Sequence, residues 1–174
     1  MISNVKGAFQ RFDGSIYTTG NDFTTAVIDL WIDASSISTG DEKRDAHLKG
    51  AEFFDSEKHA QISFTSSTIG AADSKGHHEL WGELTMKGIT KNLKLEVKFG
   101  GMVKDPWGNE KAGFEVSGKL NRSDWDLVWN APLESGGFLV SEEVSISAEI
   151  ELINLGDKDL TMDLEVNADH KGIF

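Results

Sequence analysis

The 174-residue chain has no cysteine, and its 17 basic side chains fall well short of its 29 acidic ones. Without cysteine there are no disulfides, no thiolate metal sites and no cysteine nucleophile, so stability has to come from packing. A formal charge of −12 works against binding a phosphate backbone or an anionic membrane face, since both reward clustered lysine and arginine. A nucleic-acid partner is therefore not expected. No window approaches the roughly 18 consecutive apolar residues of a spanning helix, which argues against stable membrane insertion. The N-terminus also lacks the basic and apolar regions of a secretion signal. As written, the chain is expected in the cytoplasm, or in the periplasm if Met1 is an internal start. Catalytic signatures are missing too: there is no Gly-x-Ser-x-Gly elbow, no His-Glu-x-x-His and no phosphate-cradling glycine loop.

What the chain does have is alternation. Ala26, Ile28, Leu30 and Ile32 share one face of an extended segment. Ile62 and Phe64 share another, as do Leu80, Gly82, Leu84 and Met86. Leu93, Leu95, Val97 and Phe99 alternate with Lys94, Glu96 and Lys98 after a Lys87-Gly88 turn, which gives the clearest hairpin. Ala112, Phe114, Val116, Gly118 and Leu120 form a further inward face. Beyond a Gly136-Gly137 turn, Val144, Ile146, Ala148, Ile150 and Leu152 form the next. Asp13-Gly14 reads as a tight turn, and Gly70 to His78 as a polar loop with the His77-His78 pair at its tip rather than as metal ligands. Trp107, in the Asp105-Pro106-Trp107-Gly108 turn, either caps a cavity mouth or covers a barrel end. Gly118 marks a bend or leaves room for a ligand. Eight or nine strands without repeated helical crossovers make an antiparallel sheet, and closure into a barrel of about eight strands covers its apolar face.

One helix interrupts the strands. Asp41 stands at an N-cap position, Glu42 and Asp45 fall in the first turn and Leu48 one turn later, which predicts a short helix across 41–49. Farther on, Asn121 to Trp129 read as extended chain puts Arg122 and Asp124 on one side, able to pair with each other or with Asp45 and Arg44. Trp125, Leu127 and Trp129 fall on the opposite side.

The motifs Arg44-Asp45-x-His47-Leu48, Phe53-Phe54-Asp55, Gly82-x-Leu84-Thr85-x-Lys87-Gly88, Asp105-Pro106-x-Gly108 and Asn121-Arg122-Ser123-Asp124-Trp125 occur in this order and together resemble the YceI-like family. The resemblance runs from about Val5 to Leu152. It implies an all-β, lipocalin-like antiparallel barrel that holds a long isoprenoid or fatty chain, and it implies a homodimer. Two departures stand out. The family pattern has about one more strand before Met1, and it has glycine where this chain has Asp126. A barrel domain over residues 1–155 is then followed by an extension over 156–174. There Leu160, Met162, Leu164 and Val166 alternate as an added or exchanged strand would, able to pair with the edge left open by the missing first strand.

The function expected from this reading is that of a non-catalytic carrier for a long-chain amphiphile: a polyisoprenoid, an isoprenoid quinone or a fatty-acyl compound. No cofactor beyond the lipid itself is required. Leu84, Met86, Phe99, Met102, Trp107, Phe114, Leu120, Trp125, Leu127 and Trp129 are expected to line the lipid site, and small residues such as Gly82, Ala112, Gly118 and Ala148 to leave volume in it. Arg44, Asp45, His47, Arg122 and Asp124 form a polar cluster that either meets a head group or fixes the helix to the barrel. Two rival readings are a packed structural or stress-related module without ligand, and a hydrolase built on His47 and Ser123.

Overall fold

The computed structural model describes residues 5–20, 22–132 and 139–154, together with the backbone of 162–165. In chain order the elements are β1 (Ala8–Phe9), β2 (Phe12–Thr19), β3 (Asp22–Asp33), a 3-10 turn (Ala34–Ser36), β4 (Ile37–Ser38), α1 (Glu42–Lys49), β5 (Gln61–Ile69), β6 (His77–Met86), β7 (Ile89–Lys104), β8 (Glu110–Asn121), a second 3-10 turn (Arg122–Trp125), β9 (Glu143–Ile153) and β10 (Met162–Glu165). Eight strands close into an antiparallel barrel in the order β10-β2-β3-β5-β6-β7-β8-β9, and β1 pairs with β4 as a separate two-stranded ladder. The expected all-β barrel with one short helix is the observed architecture.

Strand direction gives the barrel two different ends. β3, β6 and β8 run toward the end that carries α1, the Lys87-Gly88 turn and the second 3-10 turn. β2, β5, β7 and β9 run toward the other, where the β2–β3, β5–β6 and β7–β8 connections lie. The faces read from alternation point inward as expected: Leu80, Gly82, Leu84 and Met86 are buried between exposed neighbours on β6, and Leu120 closes the same pattern on β8. The Lys87-Gly88 turn is present with both residues at positive φ (51° and 75°), the geometry a two-residue hairpin requires.

Three local expectations fail. Asp13 and Gly14 are not a turn. They lie inside β2, opposite Trp31 and Leu30 of β3, because ladder pairing outweighs a dipeptide preference. His77 and His78 are not a loop tip but open β6, paired with Lys98 and Val97. Gly82 and Gly118, expected to leave volume, leave none. A Cβ placed on Gly82 would lie 2.3 Å from Phe64 Cζ and 2.5 Å from the Thr65 carbonyl oxygen, and one on Gly118 would lie 2.5 Å from Leu95 Cδ2. Larger side chains from neighbouring strands already occupy both positions. Ala148, also expected inside, is exposed. Gly82→Ala must therefore push on a backbone oxygen that cannot yield, and should destabilise the fold by about 1–3 kcal/mol, read as a lower urea midpoint. A variant as stable as the parent would show that β5 and β6 can separate at this point.

The Gly136-Gly137 turn lies outside the described residues, as do Leu160 and Val166. Met162 and Asp163 of β10 pair with Ile16 and Ser15 of β2, and its Leu164 and Glu165 pair with Leu152 and Glu151 of β9, all within one chain.

Candidate functional site: an apolar cavity closed at one end

At the α1 end the barrel is plugged. Trp125 is 2% exposed and its indole N–H donates to the Leu84 carbonyl at 3.0 Å, so the ring lies across the strand ends with its one polar atom satisfied. Leu127, Phe53 and Phe54 are buried around it, and Phe9 meets Phe54 edge to face at 5.5 Å. Lys87 ties the β6–β7 turn to this plug, its ammonium donating to the Asp126 carbonyl at 2.8 Å and lying 3.1 Å from the Asp126 carboxylate. Asp126 itself has φ +59°, the left-handed conformation that glycine adopts most freely and that aspartate tolerates.

The polar candidates all belong to this closed end, and they form no shared cluster. Arg44 Nε donates to the Thr39 hydroxyl at 2.8 Å, and Asp45 accepts from the Thr39 N–H at 2.8 Å and from its hydroxyl at 2.6 Å. Thr39 is therefore the residue through which the start of α1 is fastened to β4. Asp41 caps the helix by accepting from the Arg44 N–H at 3.0 Å, a bond that holds its carboxyl below the usual aspartate pKa. His47 Nε2 lies 2.7 Å from Glu52, with the imidazole edge-on to Trp129 at 4.6 Å and to Phe53 at 5.1 Å. Arg122 is 3% exposed and is spent on the chain that follows it, donating to the Leu127, Trp129 and Ser141 carbonyls and to Glu142. Asp124 faces Lys91 at 3.8 Å. The expected pairing among Arg44, Asp45, Arg122 and Asp124 does not occur, because residues 122–125 coil into a 3-10 turn that sends Arg122 inward and Asp124 outward. Ser123 is exposed on that turn. Among the described residues no hydrogen bond joins it to His47, so the acid, base and hydroxyl of a hydrolase are not assembled.

Above the plug the barrel encloses a cavity of about 180 Å³. Ile28, Leu30 and Ile32 of β3, Leu80, Leu84 and Met86 of β6, and Phe114, Val116 and Leu120 of β8 form much of its wall, and Ser63 and His78 are its only hydroxyl- or imidazole-bearing members among the described residues. The end opposite α1 has no plug like that of Trp125 among the described residues. Its rim carries Phe23, whose ring reaches those of Phe114 (4.9 Å) and Phe99 (5.8 Å), while Phe99 and Phe114 lie 5.4 Å apart. β3 and β8 stand on opposite sides of the barrel, so Phe23 and Phe114 meet across the opening.

Of the ten residues expected to line a lipid site, Leu84, Met86, Phe114 and Leu120 face the cavity. Trp125 and Leu127 belong to the plug. Trp129 packs on His47 and Phe53 outside it, and Phe99 stands at the rim. Met102 and Trp107 are 47% and 84% exposed, because β7 runs on past its last pairing with β6 at Lys98 while β8 keeps β9 as its other neighbour as far as Lys111. Phe23 and His78 are among the site residues that alternation missed, with Phe9, Ile16 and Ile69. Thr24 and Thr25 are both exposed and break the period between Phe23 and Ala26. His78 sits in a stretch too polar to read as strand.

The YceI-like domain family matches residues 1–152 of this sequence. The chain belongs to the YceI-like family. Among its relatives, the UPF0312 protein of Staphylococcus aureus strain MSSA476 is 36% identical over 152 residues, which is 87% of this chain and 85% of that protein. The corresponding protein of the bovine strain RF122 is 34% identical over the same shares. The crystal structure of the Campylobacter jejuni YceI protein superposes with a TM-score of 0.78 at 28% identity, over 88% of this chain and 87% of that one. BcnA of Burkholderia cenocepacia, 21% identical over 83% and 86% of the two chains, shares the fold with a TM-score of 0.69. The matched YceI-like segment ends at residue 152, so β10 is supplied from beyond it.

Proposed function

We propose that this YceI-like barrel is a non-catalytic carrier for a long-chain amphiphile of the polyisoprenoid, isoprenoid-quinone or fatty-acyl class, bound by its tail. The observation that carries the reading is the apolar cavity, closed at the α1 end and rimmed by aromatic rings at the other. A cavity of about 150 Å³ lined by Leu, Ile and Phe stays dry and takes up benzene. The 180 Å³ here is lined by the same residue types and so suits a ring-sized group or a short length of chain. A longer tail then has to displace the Phe23, Phe99 and Phe114 rings and extend through the rim. Each methylene removed from water contributes about 0.8 kcal/mol, so affinity grows with chain length while the protein reads little of the ligand's detail.

The head group lies at the open end in this reading, away from Arg44, Asp45, His47, Arg122 and Asp124. His78 supports this reading: it lines the cavity, and its Nδ1–H donates to the Gly70 carbonyl at 2.8 Å, which leaves Nε2 for the ligand.

Native mass spectrometry of the purified protein, followed by organic extraction, tests the proposal together with a wall-filling variant. Ala26→Phe combined with Val116→Phe adds rings from opposite walls. It should lower affinity for a fluorescent fatty acid by at least about tenfold while the barrel still folds. His47→Ala and Ser123→Ala should leave that affinity unchanged. Unaltered binding in the wall-filling variant would place the ligand outside the barrel, and turnover lost with His47 or Ser123 would make the protein an enzyme.

A further inference from the structure

We infer that the β7–β8 hairpin is a peripheral docking element for a zwitterionic lipid surface, which it uses to set the open rim of the barrel against the bilayer. The inference rests on the carrier reading for its purpose and on the hairpin's own construction for its evidence. Lys98 is the last residue of β7 paired with β6, so from Phe99 onward β7 projects beyond the β6 side of the barrel, while β8 stays paired with β9 as far as Lys111 and the turn over 105–109 stands clear of both. The projecting part bears the densest exposed apolar surface at that end: Trp107 is 84% exposed, Val103 65%, Met102 47% and Phe99 39%.

The exposure of Trp107 is built in. Asp105 Oδ1 accepts from the Trp107 N–H at 2.9 Å and from the Asn109 N–H at 2.8 Å, Asp105 Oδ2 accepts from Asn109 Nδ2 at 2.8 Å, and Gly108 turns with φ +93°. A rigid turn that holds an indole in water gains nothing for the fold. An interfacial tryptophan, by contrast, puts its ring among acyl chains and its N–H among head groups.

Charge points the same way. The chain carries −12 overall, yet residues 98–115 hold Lys98, Lys104 and Lys111 against Asp105, Glu110 and Glu115, a balance of three and three. The β5–β6 loop beside the same rim balances Asp73 with Lys75. The hairpin and this loop therefore present no net charge of their own to a zwitterionic bilayer, with Asp22 at the start of β3 a further acidic group at the same end, and the lysine stems can lie along the interface with their ammonium groups in water. At the base of the projecting part the Phe99 ring touches Phe23 and Phe114, and Phe114 is cavity wall. A second copy of the chain suits the tip less well: four side chains are far short of the roughly 1,200 Å² that stable dimers bury, and each copy repels the other.

Flotation of the full chain with phosphatidylcholine vesicles tests the hairpin, and binding of a soluble fluorescent fatty acid without vesicles tests the barrel separately. Val103→Ser with Trp107→Ser should reduce vesicle association by at least about tenfold while leaving fatty-acid affinity within about twofold of the parent. A parent protein that does not float, or a variant that floats equally well, overturns the inference, as does a hairpin-dependent self-association without vesicle binding. Flotation that depends on Trp107 in a protein that takes up no fatty acid would leave the docking surface standing and remove the carrier reading.

Discussion

Replacing Arg122 with methionine is expected to cost about 3–5 kcal/mol of folding stability, the largest loss from any single side chain outside the strands. The guanidinium is 3% exposed, and its donors reach the Leu127, Trp129 and Ser141 carbonyls as well as the Glu142 carboxylate. Those carbonyls lie on stretches of chain that belong to no strand and have no ladder to satisfy them. Without the arginine, each one left buried and unpaired costs about 1–3 kcal/mol. Glu142 contributes little by comparison. Its side chain is 58% exposed, so the carboxylate returns to water when its partner is removed, and Glu142→Ala should change stability by less than about 1 kcal/mol. Arg122→Lys should recover only part of the loss, because one ammonium cannot reproduce a fork that spans several acceptors. Urea unfolding of the three variants with unchanged slope is the relevant measurement. If Arg122→Met lost no more than Glu142→Ala, the closed end would be held by Trp125 packing and not by the arginine.

The contrast between Arg122 and the strands shows what alternation reveals and what it conceals. On β6 and β8 the period of two predicted the inward faces residue by residue, because a ladder hydrogen-bonded on both sides leaves each side chain only two directions to point. The same rule applied to 121–129 misplaced the polar residues, since that stretch coils through a 3-10 turn and a left-handed Asp126. Bulges cause the remaining errors in the wall. Register shifts between Tyr17 and Thr19 and between Ser66 and Thr68 change the phase of β2 and β5, and Ile69 reaches the cavity although the regular face of β5 is Ile62 and Phe64. Gly82 and Gly118 expose a different limit. A glycine marks missing side-chain volume in its own strand, but whether a neighbour such as Phe64 or Leu95 fills that volume depends on strand pairing, which composition does not encode. The helix was legible because its signals are local: Asp41 caps α1 through the N–H three residues on.

Removing residues 157–174 is expected to open the barrel, producing aggregation and at least a tenfold or so loss of fatty-acid affinity. β10 is short, but it is the only strand between β2 and β9 among the described residues, so its loss turns a closed ring of strands into a sheet with two free edges. Ile16 and Leu152, which it covers by pairing, are 7% and 1% exposed in the closed barrel, and both face the cavity. Truncation would therefore admit water to the binding space and free the backbone N–H and C=O groups of both edges, which can then pair with another chain. The matched YceI-like segment ends at residue 152, so the closing strand comes from beyond it. Closure requires a strand between β2 and β9 but not a particular end of the chain to supply it. Size-exclusion chromatography and fatty-acid titration of the truncated protein distinguish the possibilities. A monomer that binds as tightly as the full chain would mean that β2 and β9 tolerate their open edges and that the cavity's affinity resides in the other seven strands.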